Sequence, residues 1–177
     1  MKLSRCLAAL LCIGVLLGAT PSEKGVADPP VKGATPQEVE VQAVMFDPDL
    51  QQPVVVLQGK RDKRNLAMVI GLAEATSIAV PLRGVAPPRP LTHDLFLSLF
   101  GQMKVGLKRV VITDLRDDVY YALLYLDRGG TEITLDARPS DAIGLALRAK
   151  VPILVEDRVF EKAGNTTAPR GGPSPHF

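Results

Sequence analysis

Residues 136–142 read DARPSDA and continue without a break into IGLALR at 143–148. A β-type pattern ends in this stretch and a helical pattern begins, so a strand is expected to pass directly into a helix. Pro139 suits the first helical position, because its missing N–H would be unpaired there in any case. Asp136 is then expected as the last strand residue, with Ser140 and Asp141 in the first helical turn. The polar side chains of this stretch are predicted to share one corner.

The same order of elements recurs earlier in the chain. A shift of 65 residues aligns 39–82 with 104–147 without a gap, and six of the 44 aligned pairs are identical. Both segments read as three strands followed by a helix, which indicates an internal duplication. Coincidence of two similar units remains the alternative. We predict an α+β fold in which two strand-strand-strand-helix units form a mixed or barrel-like sheet, with an extra helix between them.

Hydrophobic periodicity predicts the individual elements. The first unit is predicted to contain strands at 39–46, 53–57 and 66–70, and a helix at 73–80 that Pro81 stops. The second unit is predicted to contain strands at 107–113, 119–126 and 131–135, with a turn at 114–118. The helix between the units should begin near His93, with Thr92 as its N-cap. A last strand at 151–155 contains a proline, which suits the edge of a sheet.

The N-terminal residues have the pattern of a secretory signal peptide. Lys2 and Arg5 precede an apolar run that ends at Ala19, and small residues follow it. We predict a signal peptide at 1–27 and export to the periplasm or the extracellular space, with an uncleaved membrane anchor as the alternative. The run is shorter than the roughly 20 apolar residues that span a bilayer, so no stable span is expected after cleavage. The remaining chain is divided into three predicted segments: a flexible spacer at 28–38, one domain at 39–162 and a disordered tail at 163–177.

Cysteine usage excludes disulfides, a cysteine nucleophile and thiolate metal sites from the predicted mature chain, and its charge balance excludes a strong overall positive field. Both cysteines, Cys6 and Cys12, lie in the predicted signal peptide, so cleavage would remove every thiol. The full chain has 21 Lys+Arg and 19 Asp+Glu, and loss of residues 1–27 removes three of the former and one of the latter, leaving 18 of each. A neutral domain has no global field to attract a polyanion. Nucleic-acid binding would therefore depend on local basic groups.

Three motifs follow one another along the chain: Ile70-Gly71 with Glu74-Ala75, then RPLTHDL at 89–95, and then DARPSDA at 136–142. In this order they resemble the bifunctional nuclease domain family. The resemblance covers about residues 39–161. It implies a nuclease that cleaves phosphodiester bonds in DNA, RNA or both, and hence nucleic acid as a partner. The predicted export signal is a departure from the usual members of this family.

The residues of these motifs suit phosphodiester hydrolysis, which needs a positioned water and charge stabilisation on the phosphate. Histidine and carboxylates supply acid–base groups, arginine forks pair with phosphate oxygens, and oxygen-rich ligand sets suit Mg²⁺ or Mn²⁺. No other histidine lies in the predicted domain, so imidazole acid–base catalysis would have to come from the one in RPLTHDL. We predict as catalytic His93, Asp94, Asp136 and Asp141; as substrate-binding Arg89, Arg138 and Ser140; and as metal ligands Asp136, Asp141 and Glu74.

Each of these residues also has an ordinary structural interpretation. Asp94 and Asp141 suit the first turn of a helix, where carboxylates complement the helix dipole. Arg138 could form an internal ion pair with a neighbouring carboxylate. The basic loop at 60–64 could contact a nucleic-acid backbone or could be a solvated hairpin tip. Two other functions therefore remain open, a non-catalytic interaction module that forms a homodimer and a cell-envelope hydrolase of a non-nucleic substrate.

Overall fold

The computed structural model describes residues 35–165, and the predicted signal peptide and most of the predicted tail lie outside that range. Within it, the chain forms seven strands and four helices. In chain order they are β1 Gln37–Asp47, β2 Gln52–Gly59, β3 Asn65–Val69, α1 Leu72–Leu82, α2 Thr92–Gln102, β4 Val105–Arg116, β5 Val119–Arg128, β6 Thr131–Ala137, α3 Pro139–Ala149, β7 Ile153–Val155 and α4 Asp157–Asn165.

All seven strands join one mixed sheet that does not close into a barrel. Its order is β3-β2-β1-β7-β4-β5-β6, so β3 and β6 are the edges. Every neighbouring pair is antiparallel except β4 with β7. The predicted α+β class and mixed sheet are confirmed, and of the two predicted sheet forms only the open one is present.

The last strand lies at the centre of the sheet, so its prediction as an edge strand was wrong. β7 contains only Ile153–Val155 and sits between β1 and β4. Pro152 precedes the strand, so its missing N–H interrupts no ladder, and its carbonyl accepts a hydrogen bond from Val110 N–H at 3.1 Å. Proline is excluded from central strands only where its nitrogen must donate.

The two halves of the sheet repeat the same order of elements on either side of β7. Helices α1 and α3 each contain 11 residues and begin at residues 72 and 139, which are 67 positions apart. β2 and β5 begin at residues 52 and 119, again 67 apart. The shift of 65 residues used to align the sequence was therefore two positions short.

The corrected offset also pairs core positions. Leu57 corresponds to Leu124 and Ile78 to Leu145, and all four side chains are buried. They belong to one hydrophobic cluster that runs through both units. The units therefore share a single core, which supports the duplication that the sequence indicated.

Several boundaries differ from the prediction because local hydrogen bonds decide them. Helix α1 runs past Pro81 to Leu82, since a proline in the last turn still has a helical φ and only loses its own donor. Helix α2 has Leu91 rather than Thr92 at its N-cap, where the Leu91 N–H donates to the Asp94 carboxylate at 2.9 Å. Helix α4, which the sequence pattern did not predict, extends to Asn165, so three residues of the predicted tail are helical.

The predicted turn at 114–118 is shorter than expected. Strand β4 continues to Arg116, and only Asp117 and Asp118 remain between β4 and β5. Both residues have positive φ values, 48° and 63°, as a tight two-residue hairpin turn requires. Aspartate tolerates this conformation better than most residues, which explains why the acidic pair occurs here.

Candidate functional site

The strand-to-helix corner at 136–142 is joined to the first unit by an arginine bridge. Arg138 precedes α3, and Asp141 lies in the first turn of that helix. The Arg138 guanidinium donates to the two Asp141 carboxylate oxygens, from Nε at 2.7 Å and from Nη2 at 3.1 Å. Its Nη2 also donates to Glu74 Oε1, in the first turn of α1, at 2.8 Å. Arg138 thus links the N-terminal ends of the two equivalent helices.

His93, in the first turn of α2, lies behind this bridge and contacts both units. Its Nε2 is 3.3 Å from Asp141 Oδ1, and its Nδ1 is 2.7 Å from Ser77 Oγ on α1. The His93 side chain is only 12% exposed, whereas Arg138 is 66% exposed. The order from the interior to the surface is therefore serine, histidine, aspartate and arginine.

The imidazole packs directly on the backbone of α3 at Gly144. A Cβ at this position would come within 3.0 Å of two ring atoms of His93 and of Ser77 Oγ. Ser77 and Gly144 are equivalent positions at the 67-residue offset, so the close approach occurs where the two helices face each other. Glycine is needed here because the helices and the ring leave no room for a side chain.

A buried arginine holds the inner end of the group. Arg148 is 7% exposed, and its Nη1 donates to the carbonyl oxygens of Ser77 at 2.7 Å and Gly144 at 2.9 Å. Its Nε donates to Asp94 Oδ1 at 2.8 Å. The other Asp94 oxygen accepts from Leu91 N–H. Arg148 therefore ties α1, α2 and α3 together at one point.

Asp141 is the acidic group that this arrangement perturbs most clearly. The hydrogen bond from His93 and those from Arg138 outweigh partial burial and lower the pKa of Asp141 to about 2. The same contact with Asp141, strengthened by Glu74, raises the pKa of Arg138. An ionised carboxylate paired with an exposed guanidinium can orient water and bind a phosphate oxygen side by side.

The structure brings together four of the predicted site residues, Glu74, His93, Arg138 and Asp141. Asp94 is next to His93 in sequence, but its carboxylate is turned to Arg148 and to the start of α2. The remaining three do not join the group through any hydrogen bond or ion pair found within residues 35–165. They are Arg89 in the loop before α2, Asp136 on edge strand β6 and Ser140, which is buried in the first turn of α3.

The sequence interpretation missed three residues of this group, namely Ser77, Gly144 and Arg148. Each looks ordinary alone, because serine, glycine and arginine inside helices have many uses. One signal was available: the 67-residue offset aligns Glu74 with Asp141 and Ser77 with Gly144, so two first-turn carboxylates and two small residues occupy matching helix positions. An alignment two residues out of register concealed both matches.

The carboxylates suit a divalent cation only in part. Within residues 35–165, no group of three or more His, Cys, Asp or Glu side chains is positioned to hold a metal ion. However, Mg²⁺ is commonly held by one or two carboxylates and completes its shell with water and substrate phosphate. Glu74 and Asp141 carry two negative charges and Arg138 carries one positive charge. The corner therefore has a net negative charge, which a bound cation would offset. These two carboxylates could hold it if Arg138 turned toward substrate.

The basic loop at 60–64 does not form an open cationic patch. Arg61 and Arg64 both bind the carboxylate of Asp157 on α4, and Lys60 binds Glu38. Arg64 also lies over the ring of Phe160, 4.5 Å from its centroid. The Arg61 and Arg64 pairings attach the β2–β3 hairpin to α4, so these two charges have a structural role.

Comparison with known proteins gives matches to one kind of domain. The sequence model described as the bifunctional nuclease domain matches residues 55–168, more than half of the chain. An uncharacterized protein of Mycobacterium tuberculosis is 43% identical over 127 residues, which are 72% of this chain and 76% of that protein.

Plant proteins match over a shorter range. A protein of Oryza sativa subsp. japonica named bifunctional nuclease 1 is 38% identical over 108 residues, 58% of this chain and 33% of that protein. A protein of the same name from Arabidopsis thaliana is 30% identical over 108 residues, again with 58% and 33% covered. The chain therefore matches about a third of the length of these plant relatives.

Proposed function

Because the chain belongs to the bifunctional nuclease domain family, we propose that it is a nuclease of low sequence specificity that hydrolyses phosphodiester bonds at the Arg138–Asp141 corner. The observation that carries this proposal is the joining of Glu74, His93, Arg138 and Asp141 across three helices. Family resemblance alone would not select a site. The geometry favours this corner because the most exposed member, Arg138, and the ionised carboxylate of Asp141 lie side by side.

The groups of this corner have distinct roles in the proposed reaction. Arg138 pairs with a non-bridging phosphate oxygen and offsets the negative charge that develops as water attacks phosphorus. Asp141 accepts a hydrogen bond from that water and orients it. The water oxygen forms the new P–O bond and releases its proton to solvent, the bond to the leaving oxygen breaks, and solvent protonates the leaving alkoxide. No contact to a base is proposed, which accounts for the low sequence specificity.

A divalent cation such as Mg²⁺ or Mn²⁺ is part of the proposal. When bound, it would supply charge stabilisation at the phosphate. Glu74 and Asp141 would hold it, and Asp136 on the neighbouring strand remains the third predicted ligand. A cation would also offset the net negative charge of the corner, which otherwise repels a polyanion.

Cleavage assays test the reaction directly. The full chain is incubated with single- and double-stranded DNA and RNA, with Mg²⁺, with Mn²⁺ and with a chelator. We expect cleavage that Asp141→Asn reduces by at least about 100-fold, since the variant loses the charge that pairs with Arg138. Asp118→Asn is the matched control, because it makes the same change in an exposed hairpin turn whose backbone conformation asparagine also tolerates. Equal activity of the two variants, or no cleavage of any substrate by the parent chain, would refute the proposal.

The metal component has its own test. Arg138→Gln frees the two carboxylates, so Mn²⁺ should raise the melting temperature of this variant more than that of the parent chain. The double variant Arg138→Gln/Asp141→Asn should lose the increase. If the chelator leaves cleavage unchanged and Mn²⁺ shifts no melting curve, the reaction does not use a cation at this corner.

Export forms the last part of the proposal and concerns residues outside the described range. The predicted signal peptide at 1–27 would place the nuclease outside the cytoplasm, where it would meet extracellular nucleic acid. No helix of residues 35–165 is long and apolar enough to span a bilayer. Cell fractionation with N-terminal sequencing should yield a shortened chain in the envelope or the medium. A full-length product in the cytoplasm would contradict export.

A further inference from the structure

The hydroxyl of Ser77 has a defined role in the hydrogen bonds around His93. The Arg148 guanidinium can only donate, and its Nη1 is 3.4 Å from Ser77 Oγ, a long contact in which the oxygen accepts. The other contact of this oxygen is His93 Nδ1 at 2.7 Å. No other acceptor for the Ser77 hydroxyl is found in the part of the chain that the structure describes. The hydroxyl proton is therefore directed to Nδ1.

This direction fixes the position of the imidazole proton. A neutral ring has one N–H and one bare nitrogen, so an Nδ1 that accepts from Ser77 requires the proton to be on Nε2. Nε2 faces the Asp141 carboxylate, which can only accept. Both contacts of the ring thus require the same tautomer.

We propose that His93 is a positioning residue rather than the acid–base group of the reaction, and that Ser77, supported by Arg148, holds it in the Nε2–H tautomer so that it orients Asp141. This inference rests on the proposed nuclease function. Both ring nitrogens are already engaged, and the side chain is 12% exposed. The ring therefore has no free lone pair for a substrate water. His93 acts through Asp141, which is the group that reaches solvent.

The surrounding charges fit this role. Asp141 from α3 and Arg138, which precedes α3, lie on the Nε2 side, with Glu74 from α1 on the far side of Arg138. Arg148 from α3 and Asp94 from α2 lie on the inner side, beyond Ser77. The serine hydroxyl separates the ring from the buried guanidinium and satisfies a donor and an acceptor at once. Alanine at position 77 would remove the hydroxyl that donates to Nδ1.

Imidazole ¹⁵N spectra of the full chain test the tautomer without reference to activity. Long-range ¹H–¹⁵N correlations at neutral pH should show a bare Nδ1 and a protonated Nε2 for His93; the second histidine, His176, is assigned with a His176→Gln variant. In Asp141→Ala, where Ser77 is the remaining partner of the ring, the proton should stay on Nε2; in Ser77→Ala/Asp141→Ala the two tautomers should become mixed. A proton on Nδ1 in the parent chain, an imidazolium at neutral pH, or a mixture of tautomers already in Asp141→Ala would overturn the inference. The measurement on the parent chain decides the first two outcomes even if the variant does not fold.

Kinetics of two His93 variants test the role. A glutamine amide can place an N–H where Nε2–H lies but cannot exchange a proton, whereas alanine removes both abilities. Loss of a general acid–base group typically costs 10²–10⁴-fold in rate, whereas outer-sphere positioning residues typically contribute about 10–100-fold. We expect kcat of His93→Gln within about fivefold of the parent chain and that of His93→Ala reduced by about 10–100-fold. Equal losses of more than about 100-fold in both variants would overturn the positioning role. A parent chain without nuclease activity would refute the proposed function alone, because the tautomer is measured separately.

Discussion

The contact between His93 and the backbone of α3 leads to a sharp prediction about two glycines. Gly144 lies inside α3 and Gly101 inside α2, so alanine gains helix propensity at both, by about 1 kcal/mol at most. Gly101 has open space around it, whereas a Cβ at position 144 would be 3.0 Å from the His93 ring and from Ser77 Oγ. These neighbours are buried and cannot move aside freely. Overpacking of this kind costs about 1–3 kcal/mol.

Gly101 lies one residue before the end of α2 and Gly144 in the middle of α3, so the propensity gain at position 144 is at least as large as that at position 101. A lower stability of Gly144→Ala therefore reports the contact. Gly101→Ala should be as stable as the parent chain or slightly more stable. Gly144→Ala should be about 1–3 kcal/mol less stable than Gly101→Ala, which corresponds to a difference of roughly 2–12 °C in melting temperature for a chain of this size. Urea unfolding of both variants at neutral pH measures the free-energy difference. Equal stabilities, within about 0.5 kcal/mol, would show that the ring does not pack on Gly144 as described.

Three further predictions follow from the ion pairs. The burial of Asp114 is outweighed by its hydrogen bonds from Lys162 and Arg116, which lower its pKa to about 2 from the usual 3.8. The hydrogen bonds from His93 and Arg138 likewise lower the pKa of Asp141 to about 2. Each carboxylate therefore stabilises the fold above about pH 4, by at most about 2.5 kcal/mol and less for the more exposed Asp141, and this stability is lost as the pH falls toward 2. The stability differences between the parent chain and Asp114→Asn or Asp141→Asn, measured by urea unfolding, should shrink as the pH falls from about 5 to about 2.5, and differences that stay constant would contradict the pKa values. Arg148→Lys should lower the free energy of unfolding by about 2–4 kcal/mol, because lysine cannot make the hydrogen bonds of the buried guanidinium. The control Arg61→Lys, at an exposed ion pair, should cost less than about 1 kcal/mol. Similar losses of the two variants in thermal melts would show that Arg148 does not hold the three helices together. Asp136→Asn should change the free energy of unfolding by less than about 0.5 kcal/mol, since no hydrogen bond or ion pair of the Asp136 side chain is found within residues 35–165. A loss of cleavage in this variant would then assign Asp136 to the reaction, whereas a large loss of stability would reveal a structural role.

Particular contacts distinguish a structural role from a catalytic role for the strand-to-helix corner at 136–142. Arg138 and Asp141 do form the ion pair that was the structural alternative, and Arg138 also reaches Glu74 in the other unit. The Arg138 side chain in this pair is 66% exposed. The buried contact that joins the three helices is made instead by Arg148, which is 7% exposed. The two arginines thus divide the roles, with Arg148 holding the helices together and Arg138 facing solvent.

Local pattern was sufficient for the elements and for part of the site. Pro139 at the first position of α3 was predictable because proline suits only a few helix positions, and Asp141 in the first turn followed from counting along the helix. The strand order along the chain followed from alternation and turn residues. These features depend on neighbours within about five positions, which the sequence displays directly.

The central place of β7 could not be read from its sequence. A three-residue strand after a proline has the composition of an edge, and only its pairing with β1 on one side and β4 on the other shows otherwise. The same holds for α2, whose first turn contributes His93 to a site between α1 and α3. No pattern in residues 92–102 predicts which helices pack beside α2.

The sequence by itself determined the seven strands and the first three helices to within a few residues, that two similar units follow each other, and that DARPSDA joins a strand to a helix. These properties arise from backbone propensity and from hydrophobic periodicity, which act over one or two turns. Tertiary structure alone decided that Glu74 and Asp141 share Arg138, and that His93 is enclosed between Ser77 and Gly144. The physical reason is that, apart from the local Arg138–Asp141 pair, these contacts join residues 16 to 64 positions apart. Their distances depend on how the two units pack around the shared core rather than on any local preference.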